Sequence, residues 1–226
     1  MSNSMKYTAA LVIGAAALCA SAAASAQTAG SWLVSVGYND IKPQGTSDPL
    51  SAPSIPNSTT KVASDSQPIL NIGYMFTDHI SAELGLGTPY THKLSGAGAL
   101  QGAGNLGSLQ QLPPTLFGQY RFLEANSPFR PYVGVGLTYA YFRDEKGSGT
   151  LTAISNPGGP ATTFTVDNAW GVTPEVGLTF AINDKWFAGA MITKTFIKTT
   201  VHLSTGQSAD APLNPIATAL YVGYRF

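Results

Sequence analysis

The sequence has little charge, almost no cysteine and no long apolar segment beyond its first residues. Only 11% of its 226 residues are charged, with 12 basic and 12 acidic side chains, so the formal net charge is zero. This balance argues against a basic surface for nucleic acid. After position 26 there is no apolar run of about 18 residues, so the sequence predicts no transmembrane helix. The single cysteine, Cys19, lies near the N-terminus, so the remaining chain offers no disulfide framework and no thiol chemistry.

The N-terminus has the features of a secretory signal peptide. A short cationic stretch, Met1 to Lys6, precedes the apolar run TAALVIGAAALCASAAA, and small residues follow at Ala24 and Ala26. These residues form an A-x-A cleavage site. A transmembrane anchor, the alternative, requires about 20 apolar residues with stop-transfer flanks. We therefore predict a signal peptide over residues 1–26 and an exported domain over residues 27–226.

The exported domain shows a period of two. In the closing segment ATALYVGYRF, Leu220, Val222 and Tyr224 share one parity, whereas Ala219 and Tyr221 share the other. This alternation is typical of a strand whose two faces meet different surroundings. An exported chain that is poor in charge, rich in aromatic residues and without apolar helices has one way to span a membrane, which is a closed β-barrel.

Eight segments alternate in this way, and each is long enough for a tilted strand that crosses a bilayer. They are Ser31 to Asp40, Gln67 to Phe76, Ile80 to Tyr90, Leu112 to Leu123, Phe129 to Arg143, Asp167 to Ile182, Trp186 to Thr200 and Asn214 to Phe226. Short turns alternate with long loops rich in Gly, Ser, Pro and Thr, as in transmembrane barrels with periplasmic turns. The sequence thus predicts an all-β, antiparallel, up-and-down barrel of eight strands. The register of strand seven stays open, because Thr193 and Lys194 compete for the inward face.

Several blocks in order resemble the outer-membrane protein W family. They are IGYMFTDHISAELGLGTPYTHKL (72–94), LPPTLFGQYRF (112–122), FRPYVGVGLTYAYFRDE (129–145), AINDKWF (181–187) and the closing VGYRF. The resemblance implies an eight-stranded barrel in the outer membrane of a Gram-negative bacterium and an association with the passage of small hydrophobic molecules. Two segments depart from the family pattern, ITKTFIKTT (192–200) and LNPI (213–216), and both concern the lining and mouth of the lumen.

An eight-stranded barrel has an interior just wide enough for packed side chains or one small ligand. The inward positions of the outer half are mostly small or apolar, among them Thr115, Gly136, Ala140, Gly171, Ala217 and Ala219, so we expect a cavity there. The predicted substrate path through the lumen consists of Ile69, Gly85, Gly87, Phe117, Thr138, Met191, Thr193 and Tyr221. The alternative interpretation is that small inward residues serve only barrel closure.

Charged residues are predicted to point inward in the periplasmic half. Charges in such surroundings persist only when paired and hydrogen-bonded. We expect a polar plug, with Glu83 opposite Arg121, made of Glu83, Arg121, Glu175 and Arg225. An apolar molecule would then leave sideways into the lipid. The predicted exit is at Pro89, Pro113 and Pro114, where proline removes the N–H that a ladder needs.

Other motifs carry less weight. His79, His92 and His202 are too scattered for a metal site, and we expect solvated surface histidines. Gly102, Gly104 and Gly107 spell G-x-G-x-x-G, but without the flanking strand and helix of a dinucleotide site. We therefore expect no catalytic residue, no metal and no cofactor.

Three classes of function stay open. They are a conduit for small hydrophobic molecules, a structural or surface-interaction barrel whose lumen is filled, and an outer-membrane lipid-modifying enzyme. The expected partners are outer-membrane lipid, lipopolysaccharide and small hydrophobic molecules, with no nucleic acid, and the expected state is a monomer.

Overall fold

The computed structural model describes residues 27–226, and the predicted signal peptide lies outside this range. The strands are β1 (Trp32–Lys42), β2 (Ser58–Val62), β3 (Asp65–Met75), β4 (Ile80–Gly87), β5 (Tyr90–Gly98), β6 (Asn105–Leu112), β7 (Thr115–Arg121), β8 (Phe129–Gly147), β9 (Phe164–Val166), β10 (Ala169–Ala181), β11 (Trp186–Lys194), β12 (Lys198–Leu203), β13 (Ser208–Pro212) and β14 (Ile216–Arg225). A short helix, α1, covers Gly149–Ser155. Within residues 27–226, no helix has the length and apolar character needed to cross a membrane.

Eight of the strands close into an antiparallel barrel. Their order is β10, β11, β14, β1, β3, β4, β7 and β8, and β8 pairs with β10 to complete the ring. The first and last strands meet in register, with Leu33 opposite Arg225 and Lys42 opposite Ile216. Three short turns, β3–β4, β7–β8 and β10–β11, and both ends of the described chain lie at one end, which we call the turn end. The other end is the loop end. The predicted all-β barrel is confirmed.

The outer surface of the barrel is apolar and carries two bands of exposed aromatic side chains. The band at the turn end consists of Trp32, Phe76, Tyr120, Phe122, Phe129, Trp186 and Phe226. The band toward the loop end consists of Tyr38, Tyr141, Trp170 and Phe196. Exposed aliphatic residues such as Leu116, Val135 and Leu220 lie on the strands between them. Aromatic girdles that flank an apolar belt are the signature of a membrane-embedded barrel.

The predicted long loops are wrong in part, because much of their length forms strands. β5 and β6 continue β4 and β7 beyond the barrel, β6 pairs with β8, and β2 adds to β5. β9, β12 and β13 form a separate three-stranded sheet. The added strands also have alternating burial, since Tyr90, His92 and Leu94 are buried and the residues between them are exposed. The loop end is therefore a folded extension with its own apolar core.

The register of strand seven is settled by its pairing with both neighbours. Thr193 is buried and pairs with Glu175 on one side and Ala217 on the other. Lys194 faces the opposite side, where its Nζ donates to the carbonyl oxygen of Asn214 at 2.7 Å. Thr193 is thus the inward residue.

Large inward aromatic rings lie against glycines that are directly opposite on the neighbouring strand. The four pairs are Phe117 with Gly136, Tyr132 with Gly177, Tyr221 with Gly189, and Phe187 with Gly223. A Cβ atom on any of these glycines would fall between 2.2 and 2.6 Å from an atom of the opposite ring. The glycines are therefore the space into which the rings pack. Gly136, one of the small inward residues of the outer half, is covered by the Phe117 ring and leaves no space of its own.

We predict that Gly189→Val lowers the free energy of unfolding by about 1–3 kcal/mol, because the new side chain displaces the Tyr221 ring in a packed interior. Urea unfolding of the barrel refolded in lipid vesicles measures this change. Gly118→Val is the matched control, since Gly118 is exposed and a Cβ there meets nothing within 4 Å. Equal stabilities of the two variants would contradict the packing role of the glycine.

Candidate functional site: a lumen cavity and a break in the wall

The loop-end half of the barrel contains a cavity with about 710 Å³ of empty space, a volume that includes open solvent at its mouth. We call it the lumen cavity. Of the predicted path residues, it is lined by Ile69, Gly85, Gly87, Phe117, Thr138, Met191 and Thr193. Tyr221 does not line this cavity and lies in the floor beneath it.

The wall of the barrel is interrupted beside this cavity. The ladder between β4 and β7 ends where Gly85 faces Thr115, and the ladder between β5 and β6 begins where Tyr90 faces Gln111. The segments between these pairs contain Pro89, Pro113 and Pro114, which lack the N–H for a ladder bond. We call this interval the wall break.

Both edges of the wall break are held by their other neighbours. On one side, Thr88 N donates to the carbonyl oxygen of Pro68 in β3 at 3.2 Å. On the other side, Tyr139 N in β8 donates to the carbonyl oxygen of Pro114 at 3.0 Å. The lumen cavity extends to the break, because Leu86 and Pro113 line it. Leu86 is also 36% exposed on the outer face, so cavity and lipid-facing surface meet at this residue.

A second cavity lies above the first in the folded extension. Its empty volume is about 1250 Å³, which includes open solvent at its mouth, and we call it the upper cavity. Its walls are mostly apolar and include Leu94, Leu106, Leu109, Phe142, Leu203 and Leu213. Gln111 and Pro215 line both cavities. The two cavities therefore adjoin at these residues.

His92 lies in the wall of the upper cavity, so its predicted solvent exposure is wrong. Only 1% of the residue is exposed. Nδ1 lies 2.8 Å from the carbonyl oxygen of Ala63, and Nε2 lies 3.1 Å from Oε1 of Gln111. Burial holds the pKa of His92 below its ordinary value, against the opposing effect of the Ala63 contact. Burial therefore favours the neutral form of His92, which lies beside Gln111 at the junction of the cavities.

The floor of the lumen cavity is closed by packed rings. The hydroxyl groups of Tyr132 on β8 and Tyr221 on β14 lie 2.9 Å apart across the interior. Met75, Phe187 and other buried apolar residues pack with them in one cluster. A molecule that enters the lumen cavity therefore meets a filled layer before it reaches the turn end.

Buried polar groups share this layer, but the predicted pairing of Glu83 with Arg121 is not seen. Among the described residues no ion pair joins the two side chains within 4.0 Å. Arg121 Nη2 instead donates to Oε1 of Gln119 at 2.8 Å, and its Nε donates to Oγ of Ser81 at 3.2 Å. The guanidinium also lies 4.9 Å from the ring centroid of Tyr132. The neighbouring amide and hydroxyl thus take the place of the expected carboxylate.

The same layer contains buried groups without protein partners. Both carboxylate oxygens of Glu175, Nε2 of Gln119 and Nη1 of Arg121 have no hydrogen bond. Glu175 is 2% exposed, and its Oε1 occupies the space where a Cβ on Gly134 would lie. Buried groups of this kind are ordinarily bridged by water. The plug is therefore a polar layer that needs bridging water, together with the tyrosine pair.

Arg130 is a structural residue that the sequence analysis missed. It is 1% exposed, and its guanidinium donates to the carbonyl oxygens of four residues near the turn end, which are Gln27, Asp78, Phe122 and Leu123. These acceptors belong to the N-terminal segment and to two turns. Arg130 thereby ties three separate segments across the turn end. In the segment FRPY, Arg130 has the same parity as the inward residue Tyr132, and this parity could have indicated that Arg130 is buried. Arg225 lines a small cleft at this end, so it belongs to the rim of the floor.

We predict that Arg130→Met lowers the free energy of unfolding by about 2–3 kcal/mol, because several carbonyl groups lose their donor. Urea unfolding in lipid vesicles measures the loss, and protease cleavage near Gln27 reports release of the N-terminal segment. Arg143→Met is the matched control, because Arg143 is exposed on the same strand. Wild-type stability and wild-type protection of the N-terminal segment in Arg130→Met would contradict the proposed tie.

The described residues offer no group of three or more His, Asp or Glu side chains placed to hold a metal ion. The chemistry of the lumen cavity is thus that of apolar surface with hydroxyl and amide groups. Such a site binds by burial of apolar area and by single hydrogen bonds.

Comparisons with known proteins agree with this geometry. The model of the OmpW family matches residues 28–226. Outer membrane protein W of Vibrio cholerae is 38% identical over 98% of this chain and 100% of that protein. The protein of the same name from Escherichia coli K12 is 31% identical over 91% of this chain and 93% of its own length. The crystal structure of the outer membrane protein OprG from Pseudomonas aeruginosa is similar with a TM-score of 0.79 and 27% identity, over 89% of this chain and 98% of that one.

Proposed function

The chain belongs to the OmpW family of Gram-negative outer-membrane barrels, and we propose that it gives small hydrophobic molecules passive passage through the outer leaflet. The observation that carries the proposal is the lumen cavity that extends to the wall break at Leu86 and Pro113. A barrel whose lumen was filled for structure alone would have no such space.

The proposed route begins in the upper cavity and continues past Gln111 and Pro215 into the lumen cavity. Entry is favourable because each Å² of apolar surface removed from water contributes about 25 cal/mol. The route then turns sideways through the wall break, because the rings of Tyr132 and Tyr221 close the way down. Lipid tails are as apolar as the cavity, so the molecule loses little on leaving. The driving force is its concentration gradient, and no cofactor or energy source is involved.

We predict that Gly85→Trp slows uptake of a small apolar probe severalfold or more. Gly85 faces the lumen cavity, where a Cβ has ordinary contacts and an indole would extend into the empty space. Uptake is measured in cells whose outer membrane contains the barrel, with a cytoplasmic sensor for a monoterpene such as limonene. Gly118→Trp is the matched control, because Gly118 points outward on β7. Unchanged uptake in Gly85→Trp at equal barrel abundance would contradict the lumen route.

We predict that the double variant Pro113→Val and Pro114→Val also slows uptake severalfold, because one of its two new N–H groups faces the wall break and favours a continuous ladder between β4 and β7. The same cellular assay measures it. Pro174→Val is the control, since Pro174 faces outward within a complete stretch of wall between β10 and β8. Slow uptake in Gly85→Trp with normal uptake in the double variant would retain the lumen cavity and exclude the lateral exit.

A further inference from the structure

Four threonine hydroxyl groups form a continuous row on the wall of the lumen cavity. They belong to Thr115 on β7, Thr138 on β8, Thr173 on β10 and Thr195 just after β11, and all four residues line the cavity. The hydroxyl oxygens of successive members are 2.8, 2.6 and 3.1 Å apart. Three of the residues are almost fully buried. We call this arrangement the threonine row.

The row ends in an unused donor. Thr173 donates its only hydroxyl proton to Thr195, so Thr138 is the donor in its contact with Thr173. Thr115 Oγ1 also lies 3.2 Å from the carbonyl oxygen of Pro113. Within residues 27–226, the hydroxyl proton of Thr195 has no acceptor. Because chains of hydrogen bonds polarise one another, the last hydroxyl in such a row is a stronger donor than an isolated one.

An unused acceptor lines the same cavity. Asn39 on β1 uses its Nδ2 to donate to the hydroxyl oxygen of Tyr90 at 3.0 Å. Its Oδ1 is buried and has no hydrogen bond. In the barrel order, β1 lies four strands from β8, on the opposite wall from the middle of the threonine row. A buried acceptor without a partner is costly, and a ligand that brings a donor removes that cost.

We infer that the lumen cavity prefers apolar molecules that carry a hydroxyl group, such as small alcohols and phenols. The hydroxyl group of the ligand can accept from Thr195 at one wall or donate to Asn39 Oδ1 at the other. This inference rests on the proposed function, since it requires that hydrophobic molecules enter the lumen cavity.

Water that enters the empty cavity can satisfy such groups. A ligand hydroxyl that displaces this water retains the hydrogen bonds while its hydrocarbon part is buried. A pure hydrocarbon that displaces it leaves Thr195 and Asn39 unpaired and loses affinity for that reason. The preference therefore arises from a penalty on the hydrocarbon as well as from a gain by the alcohol.

Three monoterpenes with one carbon skeleton test the inference. Limonene has no polar group, perillaldehyde has an acceptor only, and perillyl alcohol has a donor and an acceptor. Binding to the barrel in nanodiscs is measured against free aqueous ligand, with partition into empty nanodiscs subtracted. We expect perillyl alcohol to bind about three- to tenfold more tightly than limonene, with perillaldehyde between them.

Variants at Thr195 assign the effect to the row. Thr195→Val should remove most of the preference for the alcohol, whereas Thr195→Ser, which retains a hydroxyl, should preserve it. Thr218→Val is the control, because Thr218 is exposed on the outward face of β14. If limonene binds but the three ligands bind equally, or if Thr195→Val keeps the preference, the inference is wrong and the conduit stands. If none of the three binds, both the inference and the proposed function fail.

Discussion

Each backbone N–H and C=O in the lipid-embedded part of this protein must have a hydrogen-bond partner, because lipid offers none. Pairing of β1 with β14 closes the barrel and gives the edge strands their hydrogen-bond partners. A barrel closed with eight strands has a narrow interior. The wall break is the place where this pairing between neighbouring barrel strands is interrupted. Here Pro113 and Pro114 contribute no N–H that would be left unpaired, so proline permits an interruption at low cost. The β3 and β8 neighbours hold both edges, and the opening persists without collapse of the barrel.

The narrow interior is used in two ways. In the turn-end half, rings lie on glycines of the neighbouring strand, and Tyr132 meets Tyr221 across the centre. Arg130 adds a tie between the N-terminal segment and two turns. In the loop-end half, Gly85 and Gly87 have no ring opposite them in the ladder, and space remains. The rings of Tyr132, Tyr221 and Phe187 thus fill the space above their paired glycines in the plug, whereas the two glycines that face the cavity have no such ring.

Much of the fold could be predicted from alternation alone, because lipid outside and a mixed interior impose opposite demands on adjacent residues. Most of the predicted lumen residues do line the cavity for this reason. Parity cannot report contacts between inward residues, so the replacement of Glu83 by Ser81 and Gln119 around Arg121 was not foreseeable. Nor was the threonine row, which joins positions far apart in sequence through register. The burial of His92 is different, since the alternation of Tyr90, His92 and Leu94 was visible but lay in a segment judged a loop by its Gly-rich composition.

On the proposed function, a closed floor and a lateral opening together resolve a conflict inherent in an outer-membrane conduit. A straight pore wide enough for a monoterpene would also admit water and ions, which carry their hydration with them. The filled layer around Tyr132 and Glu175 interposes buried protein on that path, and charged solutes gain nothing by moving sideways into lipid. An apolar solute meets no such barrier at Leu86, because cavity and lipid are nearly equivalent solvents for it. On the proposed route, selectivity therefore comes from the environment at the exit, and the hydroxyl and amide groups of the cavity act only on the choice among molecules that the lipid already accepts.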